Sequence, residues 1–139
     1  MNRKGAKGAK ITREPGKEIE QLAHGVIGAA IEVHKVLGPG FLETIYEEAL
    51  CIELEQRGIL FKRQFEIKIP YKGRQIGTSR LDLIVGNKLI VELKTVDNLG
   101  AIHMAQVLSY LKATGLSLAL LINFNVRVLR EGIKRVVLS

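Results

Sequence analysis

The sequence has a single cysteine and no long apolar run. Cys51 has no second cysteine to pair with, so an internal disulfide is excluded. No apolar run approaches the roughly 18 residues that a membrane-spanning helix needs. The N-terminus also lacks the charged, then apolar, then small-residue layout of a secretory signal. These absences predict a soluble protein of the reducing cytoplasm.

Acidic residues are scarce at the N-terminus. Residues 1–17 hold six Lys/Arg and one acid, Glu14, whereas the remainder holds 15 basic and 13 acidic residues. With little apolar material to bury, this segment is predicted to be a basic flexible tail, which either contacts phosphates or stays a solvated leader. Residues 18–139 fit one domain, since a chain of this size buries roughly two thirds of its surface on folding.

Apolar periodicity predicts a mixed α/β domain. Two stretches with helical spacing come first, a three-strand meander follows, and another helix precedes two final strands. The helices are predicted to run from Glu18 to Gly38, from about Leu42 to Gly58 and over residues 99–114. The strand from Leu118 to Phe124 is nearly all apolar, as a strand buried on both faces would be. The order α-α-β-β-β-α-β-β indicates a mixed sheet flanked by helices.

The sequence from residue 81 to 94, LDLIVGNKLIVELK, reads as a hairpin that carries two acids, Asp82 and Glu92. A two-residue loop would put these acids on opposite faces of the sheet. A three-residue loop over residues 86–88 places Asp82 directly across from Glu92 and gathers Leu81 with the other apolar residues on one face. Burial favours the second register, because the first mixes polar and apolar residues on both faces.

Two acids in this register require compensation for their charge. Side chains directly opposed across strands lie about 5 Å apart, so the carboxylates repel unless a cation lies between them or one is protonated. Oxygen ligands without Cys or His favour Mg2+ or Mn2+. Lys94, on the same face as Glu92, could orient or deprotonate a water or neutralise charge on a phosphate. The alternative is a structural salt-bridge cluster of Asp82, Glu92 and Lys94.

Several motifs in the chain match a known pattern. Asp82 is followed ten residues later by Glu92-Leu93-Lys94, and residues 40–46, GFLETIY, fit a G-x-x-E-x-x-Y motif. Together with IGAAIEVHKVLGPG, IVELK and LLINFNV, these stretches resemble the GxxExxY family of small prokaryotic proteins within the PD-(D/E)XK nuclease superfamily. The likeness runs from about residue 18 to residue 138 and implies a restriction-endonuclease-like core. Leu81 stands where the superfamily signature has proline.

The resemblance implies roles for the residues of the hairpin. Asp82 and Glu92 match the metal-binding carboxylates of the superfamily, the Leu93 carbonyl matches a backbone ligand, and Lys94 matches the catalytic lysine. Glu43 resembles the extra acid that many members place near the metal. Glu43 could equally be an ordinary first-turn acid that the helix dipole favours.

The last helix contributes a further candidate motif. Gln106 and Tyr110 form Q-x-x-x-Y, similar to a motif of RecB-like exonucleases in which the glutamine borders the active site. His103, Gln106 and Tyr110 share one helical stripe, which either flanks the site or packs as a polar helix edge on the sheet rim. Tyr46 and Tyr110 are taken as supporting residues.

These residues together predict a metal-dependent phosphodiesterase that acts on DNA, or less readily on RNA. Asp82, Glu92, Lys94 and Gln106 are its expected catalytic residues. The alternative is a non-catalytic nucleic-acid-binding or protein-interaction module that keeps the fold, which the nearly neutral charge of residues 18–139 favours. A homodimer is a further expectation for so small a domain.

Overall fold

The computed structural model describes residues 15–138, which form three helices, five strands and one 3-10 turn. The elements are α1 (Lys17–Leu37), α2 (Glu43–Gln56), β1 (Phe61–Tyr71), β2 (Arg74–Val85), β3 (Leu89–Lys94), α3 (Ala101–Thr114), β4 (Leu118–Asn123), the 3-10 turn (Leu129–Gly132) and β5 (Ile133–Val137). The predicted order of helices and strands is confirmed.

The five strands form one mixed sheet in the order β1-β2-β3-β4-β5. Strands β3 and β4 are parallel because α3 crosses over between them, and the other neighbours are antiparallel. Helices α1 and α2 cover one face through one apolar cluster, and α3 covers the other face through a second cluster. All six residues of β4 are buried, as a strand covered on both faces requires. The predicted α/β class with a mixed sheet is confirmed.

The N-terminal boundary can be compared with the structure only in part. The predicted tail falls mainly on residues 1–14, which lie outside the described residues. Helix α1 begins at Lys17, one residue before the predicted domain boundary. None of the helices formed by residues 15–138 combines the length and the apolar composition that crossing a bilayer requires.

The hairpin between β2 and β3 has the register that burial favours. Leu83 pairs with Val91 and Val85 with Leu89, which leaves a three-residue loop over residues 86–88. Continued by one step, this register sets Asp82 opposite Glu92. The prediction of a three-residue loop is confirmed.

The predicted face of Leu81 is wrong. Leu83 packs in the cluster beneath α1 and α2, whereas Leu81 packs in the cluster beneath α3. Arg63 pairs with Leu83 and Phe65 with Leu81 in one constant register, but Gln64 and Asp82 between them are left out of the ladder. Gln64 adopts a left-handed conformation with φ of 48°. The alternation of side chains therefore reverses at this point in both strands.

Candidate active site

The two strand acids lie where β2 and β3 separate. The ladder between the strands ends at the Leu83–Val91 pair. Beyond it, the Asp82 backbone N–H donates to Glu92 Oε2 at 2.7 Å, and the Leu93 backbone N–H donates to Asp82 Oδ2 at 2.8 Å. The two carboxylates thus replace the next backbone hydrogen bonds of the ladder, and each one crosses the gap toward the other strand.

Burial and mutual repulsion dominate the electrostatics of this pair. Glu92 is only 3% exposed, and burial, with the charge of Asp82 adding to it, raises the pKa of Glu92 to about 8. Burial also raises the pKa of Asp82, although the hydrogen bond from the Leu93 N–H opposes that shift. The folded protein therefore disfavours a second negative charge in the gap.

Lys94 lies beside the acids without pairing with them. Its Nζ donates to Gln106 Oε1 on α3 at 3.1 Å. No carboxylate among residues 15–138 lies within ion-pair distance of Lys94, so the salt-bridge cluster that the sequence left open does not form. The structure thus brings Gln106, a predicted site residue, into contact with the predicted catalytic lysine.

Glu43 adds a third acid near the strand acids, and it comes from α2. It is the first residue of α2 and is half-buried. Burial raises the pKa of Glu43, the charge of Asp82 raises it further, and Lys94 lowers it. Because Asp82 and Lys94 both act on this pKa, Glu43 belongs to the same group of charges as those two residues. Glu43 also lies in the first turn of α2, where the helix dipole favours an acid. The interpretation as a site acid and the interpretation as a first-turn acid are therefore compatible.

Tyr46 supports the turn that leads to Glu43. The tyrosine is fully buried, and its ring stacks on Phe124 with centroids 4.5 Å apart. Its hydroxyl donates to the Gly38 carbonyl at 2.5 Å and accepts the Phe41 N–H at 3.2 Å. The hydroxyl therefore fixes the turn between α1 and α2, and with it the start of the helix that carries Glu43.

Tyr110 and His103 serve α3 and its packing. Tyr110 is 8% exposed and lies in the cluster beneath α3, where its hydroxyl accepts from Ser79 Oγ at 3.4 Å. His103 Nδ1 accepts the Gly100 backbone N–H at 2.9 Å and caps the helix. Of the helical stripe, the structure places Gln106 alone against Lys94, and the other two members hold the helix in position.

Glu47 is a candidate site residue that sequence reasoning missed. It is buried, accepts two hydrogen bonds from the Arg63 guanidinium at 3.2 and 3.1 Å, and accepts the Gln64 amide at 2.9 Å. Its charge contributes to the raised pKa of Asp82. The spacing of four residues from Glu43 is the signal that could have found it, because such residues share a helix face.

Asn123 is a second residue that was missed. It ends β4 directly beside Lys94 in the parallel ladder and is 2% exposed. Its Oδ1 accepts the Val96 N–H at 3.1 Å, and its Nδ2 donates to the Val96 carbonyl at 2.8 Å. Asn123 thereby fixes the chain that follows Lys94. A buried polar residue at the carboxyl end of a parallel strand was the available signal.

The donor set of this site suits a hard divalent cation. Across residues 15–138, no three His, Cys, Asp or Glu side chains come close enough together to hold a metal by themselves. Two carboxylates and a backbone carbonyl nevertheless fit Mg2+, which usually keeps several waters and takes only one or two carboxylates from a protein. Burial raises the pKa of both Asp82 and Glu92, and a bound cation would offset the negative charge that burial disfavours.

The fold and the site together define a nuclease-like α/β domain, with acids on neighbouring strands, a lysine beside them and helices on both faces. Residues 20–136 match the family model described as the PD-(D/E)XK nuclease superfamily. The chain belongs to this superfamily, whose members typically use divalent metal ions.

The other comparisons add little to this assignment. Two solved chains match this one. One of them is an alkaline exonuclease from Laribacter hongkongensis, with 15% identity, a TM-score of 0.46 and coverage of 87% of this chain and 82% of that chain. A comparison with curated proteins gave no match. The assignment therefore depends on the family match.

Replacement of Glu92 by glutamine is expected to stabilise the metal-free protein at alkaline pH. The pKa of Glu92 is about 8 in the folded state and ordinarily 4.5, so the folded state holds a proton that the unfolded state releases. Stability from this group is complete below its unfolded pKa and is lost as pH rises through 8. In EDTA at about pH 9, Glu92→Gln should raise the free energy of unfolding by about 2–4 kcal/mol.

Thermal melts across the pH range measure this effect, with exposed Glu131→Gln as the matched control. At about pH 4 the melting temperatures of Glu92→Gln and wild type should coincide, because both carry a neutral side chain there. If the melting temperatures of wild type and Glu92→Gln differ by the same amount at every pH, Glu92 has no raised pKa in the folded state.

Removal of the Tyr46 hydroxyl is expected to cost about 1–3 kcal/mol of stability, because the Gly38 carbonyl and the Phe41 N–H lose their partner. Tyr46→Phe keeps the ring stack on Phe124. Tyr110→Phe is the control, since its hydroxyl makes a single long contact of 3.4 Å. Urea unfolding midpoints measure both losses. Equal losses in the two variants would contradict the special role of the Tyr46 hydroxyl.

Proposed function

We propose that this protein is a metal-dependent nuclease that hydrolyses phosphodiester bonds of DNA. The observation that carries the proposal is the pair of strand acids, half-buried Asp82 and buried Glu92, which share one gap with no ion pair to a cation in residues 15–138. A buried charge without a partner is costly, so such a pair is retained at a site more readily than in a core.

Asp82, Glu92 and the Leu93 carbonyl are the groups proposed to hold Mg2+ or Mn2+, with Glu43 acting through a water. Glu43 supports this assignment because its pKa responds to both Asp82 and Lys94. When bound, the cation would polarise the scissile phosphate and acidify a water for the attack. Glu47 on α2 accepts hydrogen bonds from Arg63 and Gln64 on β1, and these contacts hold the part of the site next to Asp82 in place.

Lys94 is proposed to stabilise the negative charge that develops on the phosphate. Gln106 positions its amine by accepting one of the three protons that an ammonium group can donate. The remaining donors are free to meet a phosphate oxygen, which is the preorganised electrostatic stabilisation that catalysis of this kind needs. Gln106 is thus a positioning residue for Lys94.

The finer family assignment is part of the proposal. Residues 40–46 carry the G-x-x-E-x-x-Y pattern, and we assign the chain to the GxxExxY family on that basis. The contacts of Tyr46 support this assignment, since they fix the turn that leads to Glu43, whose pKa responds to Asp82.

Loss of the charge of Glu92 or of Lys94 is expected to slow DNA cleavage strongly. Wild type should nick plasmid DNA with Mg2+ or Mn2+, and Glu92→Gln and Lys94→Gln should each lower the rate by about 10²-fold or more, as removal of an electrostatic catalytic group does. Gel-based nicking rates measure this, and exposed Glu131→Gln and Lys112→Gln are the matched controls.

Metal binding supplies a readout that does not depend on activity. Mn2+ should raise the melting temperature of wild type and of both controls, and should leave that of Glu92→Gln unchanged, because a ligand that binds only the folded state stabilises it. Cleavage by wild type and Glu92→Gln at equal rates would contradict the proposal.

A non-cleaving nucleic-acid-binding module is the second candidate. It is favoured by the absence, within residues 15–138, of any three side chains grouped to hold a metal by themselves. This candidate predicts that wild type binds DNA with a steep salt dependence, that Glu92→Gln binds equally well, and that neither protein cuts any substrate.

A further inference from the structure

The positive charge of the domain is concentrated in one hairpin. Residues 66–80, here called the ribbon, hold four Lys/Arg and a single acid, Glu66. The other residues of 18–139 hold 11 basic and 12 acidic side chains. The ribbon therefore carries the whole net positive charge of residues 18–139, while the rest of that range is close to neutral.

The ribbon extends beyond the rest of the sheet. Strand β3 pairs with β2 only as far as Leu83, so residues 74–81 of β2 pair with β1 alone. At about 3.4 Å per residue, this two-stranded part is roughly 25 Å long. In this part the edge of β2 is unpaired, and the face of the ribbon opposite α3 is available for contact with a partner.

The free face of the ribbon leads into the candidate site. Ile67 and Ile69 pack in the cluster beneath α3, so Lys68 between them points to the opposite face and is exposed. Arg80, between Ser79 and Leu81, is exposed in the same way. Asp82 follows two residues later and faces the Glu47 side of the sheet.

The cations of the ribbon have no ion-pair partners among residues 15–138, and they are Lys68, Lys72, Arg74 and Arg80. Glu66 stands opposite Arg80 in the strand register and is the one acid on this surface. At the tip, Lys72 Nζ lies 5.4 Å from the Tyr71 ring centre. Tyr71 and Ile76 are 58% and 64% exposed. The surface is basic along its length and aromatic or apolar at its end.

We propose that the ribbon binds double-stranded DNA and guides it to the acids at Asp82 and Glu92. This inference rests on the proposed function and adds the form of the substrate. A two-stranded β-ribbon fits the major groove of B-DNA, while flanking lysines and arginines meet the phosphates. The row from Lys68 to Arg80 supplies the charge, and the exposed tip enters the groove.

A second copy of the chain is a poorer occupant of the same surface. The unpaired edge of β2 could in principle extend a sheet between two copies. Each ribbon carries a net charge of +3, however, so two ribbons repel each other, whereas DNA phosphates attract both.

The test measures DNA binding in EDTA, where no cleavage occurs, with the full chain and a short fluorescein-labelled duplex. Lys68→Gln/Lys72→Gln should weaken binding by about tenfold and lower the slope of log K against log salt by about 2, one for each phosphate contact. Lys112→Gln/Lys134→Gln removes the same charge from α3 and β5, and should leave the slope unchanged. All variants keep residues 1–14, so any contribution of that segment cancels.

Equal changes of the salt slope in the two double variants would overturn the proposal. So would a ribbon variant that weakens binding of a single-stranded oligonucleotide as much as binding of the duplex. A dimer of the wild type, detected by light scattering and abolished in the ribbon variant, would overturn it as well. The proposed nuclease function fails separately. If the ribbon variant loses duplex binding while wild type cuts nothing with Mg2+ or Mn2+, duplex binding by the ribbon stands, and the enzymatic function falls together with the delivery of DNA to the acids.

Discussion

The burial of the Glu92 carboxylate next to the charge of Asp82 is the constraint on which the rest of the structure depends. Asp82 and Glu92 occupy the point where β2 and β3 part, and each accepts a backbone N–H from the opposite strand. Those hydrogen bonds hold the strands together where the ladder ends, but a second negative charge in the gap stays unfavourable. Neighbouring residues hold the surroundings of the acids in position. Arg63 binds Glu47, and Asn123 binds the backbone of the chain that follows Lys94.

The sequence is sufficient to predict this pairing because a slip of one residue moves every side chain to the other face. The alternation of Leu83, Val85, Leu89 and Val91 with polar or opposite-face residues selects a single hairpin register, and the structure has that register. Gln64 marks the limit of such reasoning. A left-handed glutamine inside a strand leaves no mark in composition or periodicity, so the reversed face of Leu81 could not be predicted.

The roles of the motif residues also became clear only in three dimensions. Tyr46 and Tyr110 were predicted as supporting residues from their motifs, and the structure shows the Tyr46 hydroxyl bound to the turn before α2 and the Tyr110 hydroxyl bound to Ser79. Helical spacing from Glu43 could have pointed to Glu47, but its importance comes from the contact with Arg63, 16 residues away in the sequence. Strand β2 connects the candidate site with the ribbon, since it carries Asp82 as well as two cations of the ribbon, Arg74 and Arg80.

The central claim is that a divalent cation relieves the repulsion between the two strand acids, and anomalous diffraction from a crystal soaked in Mn2+ tests it most directly. An anomalous peak is predicted between the Asp82 and Glu92 carboxylates, with the Leu93 carbonyl among its ligands. A fully soaked crystal with no peak in that gap, in which both carboxylates keep their hydrogen bonds to the Asp82 and Leu93 N–H groups, would contradict the account.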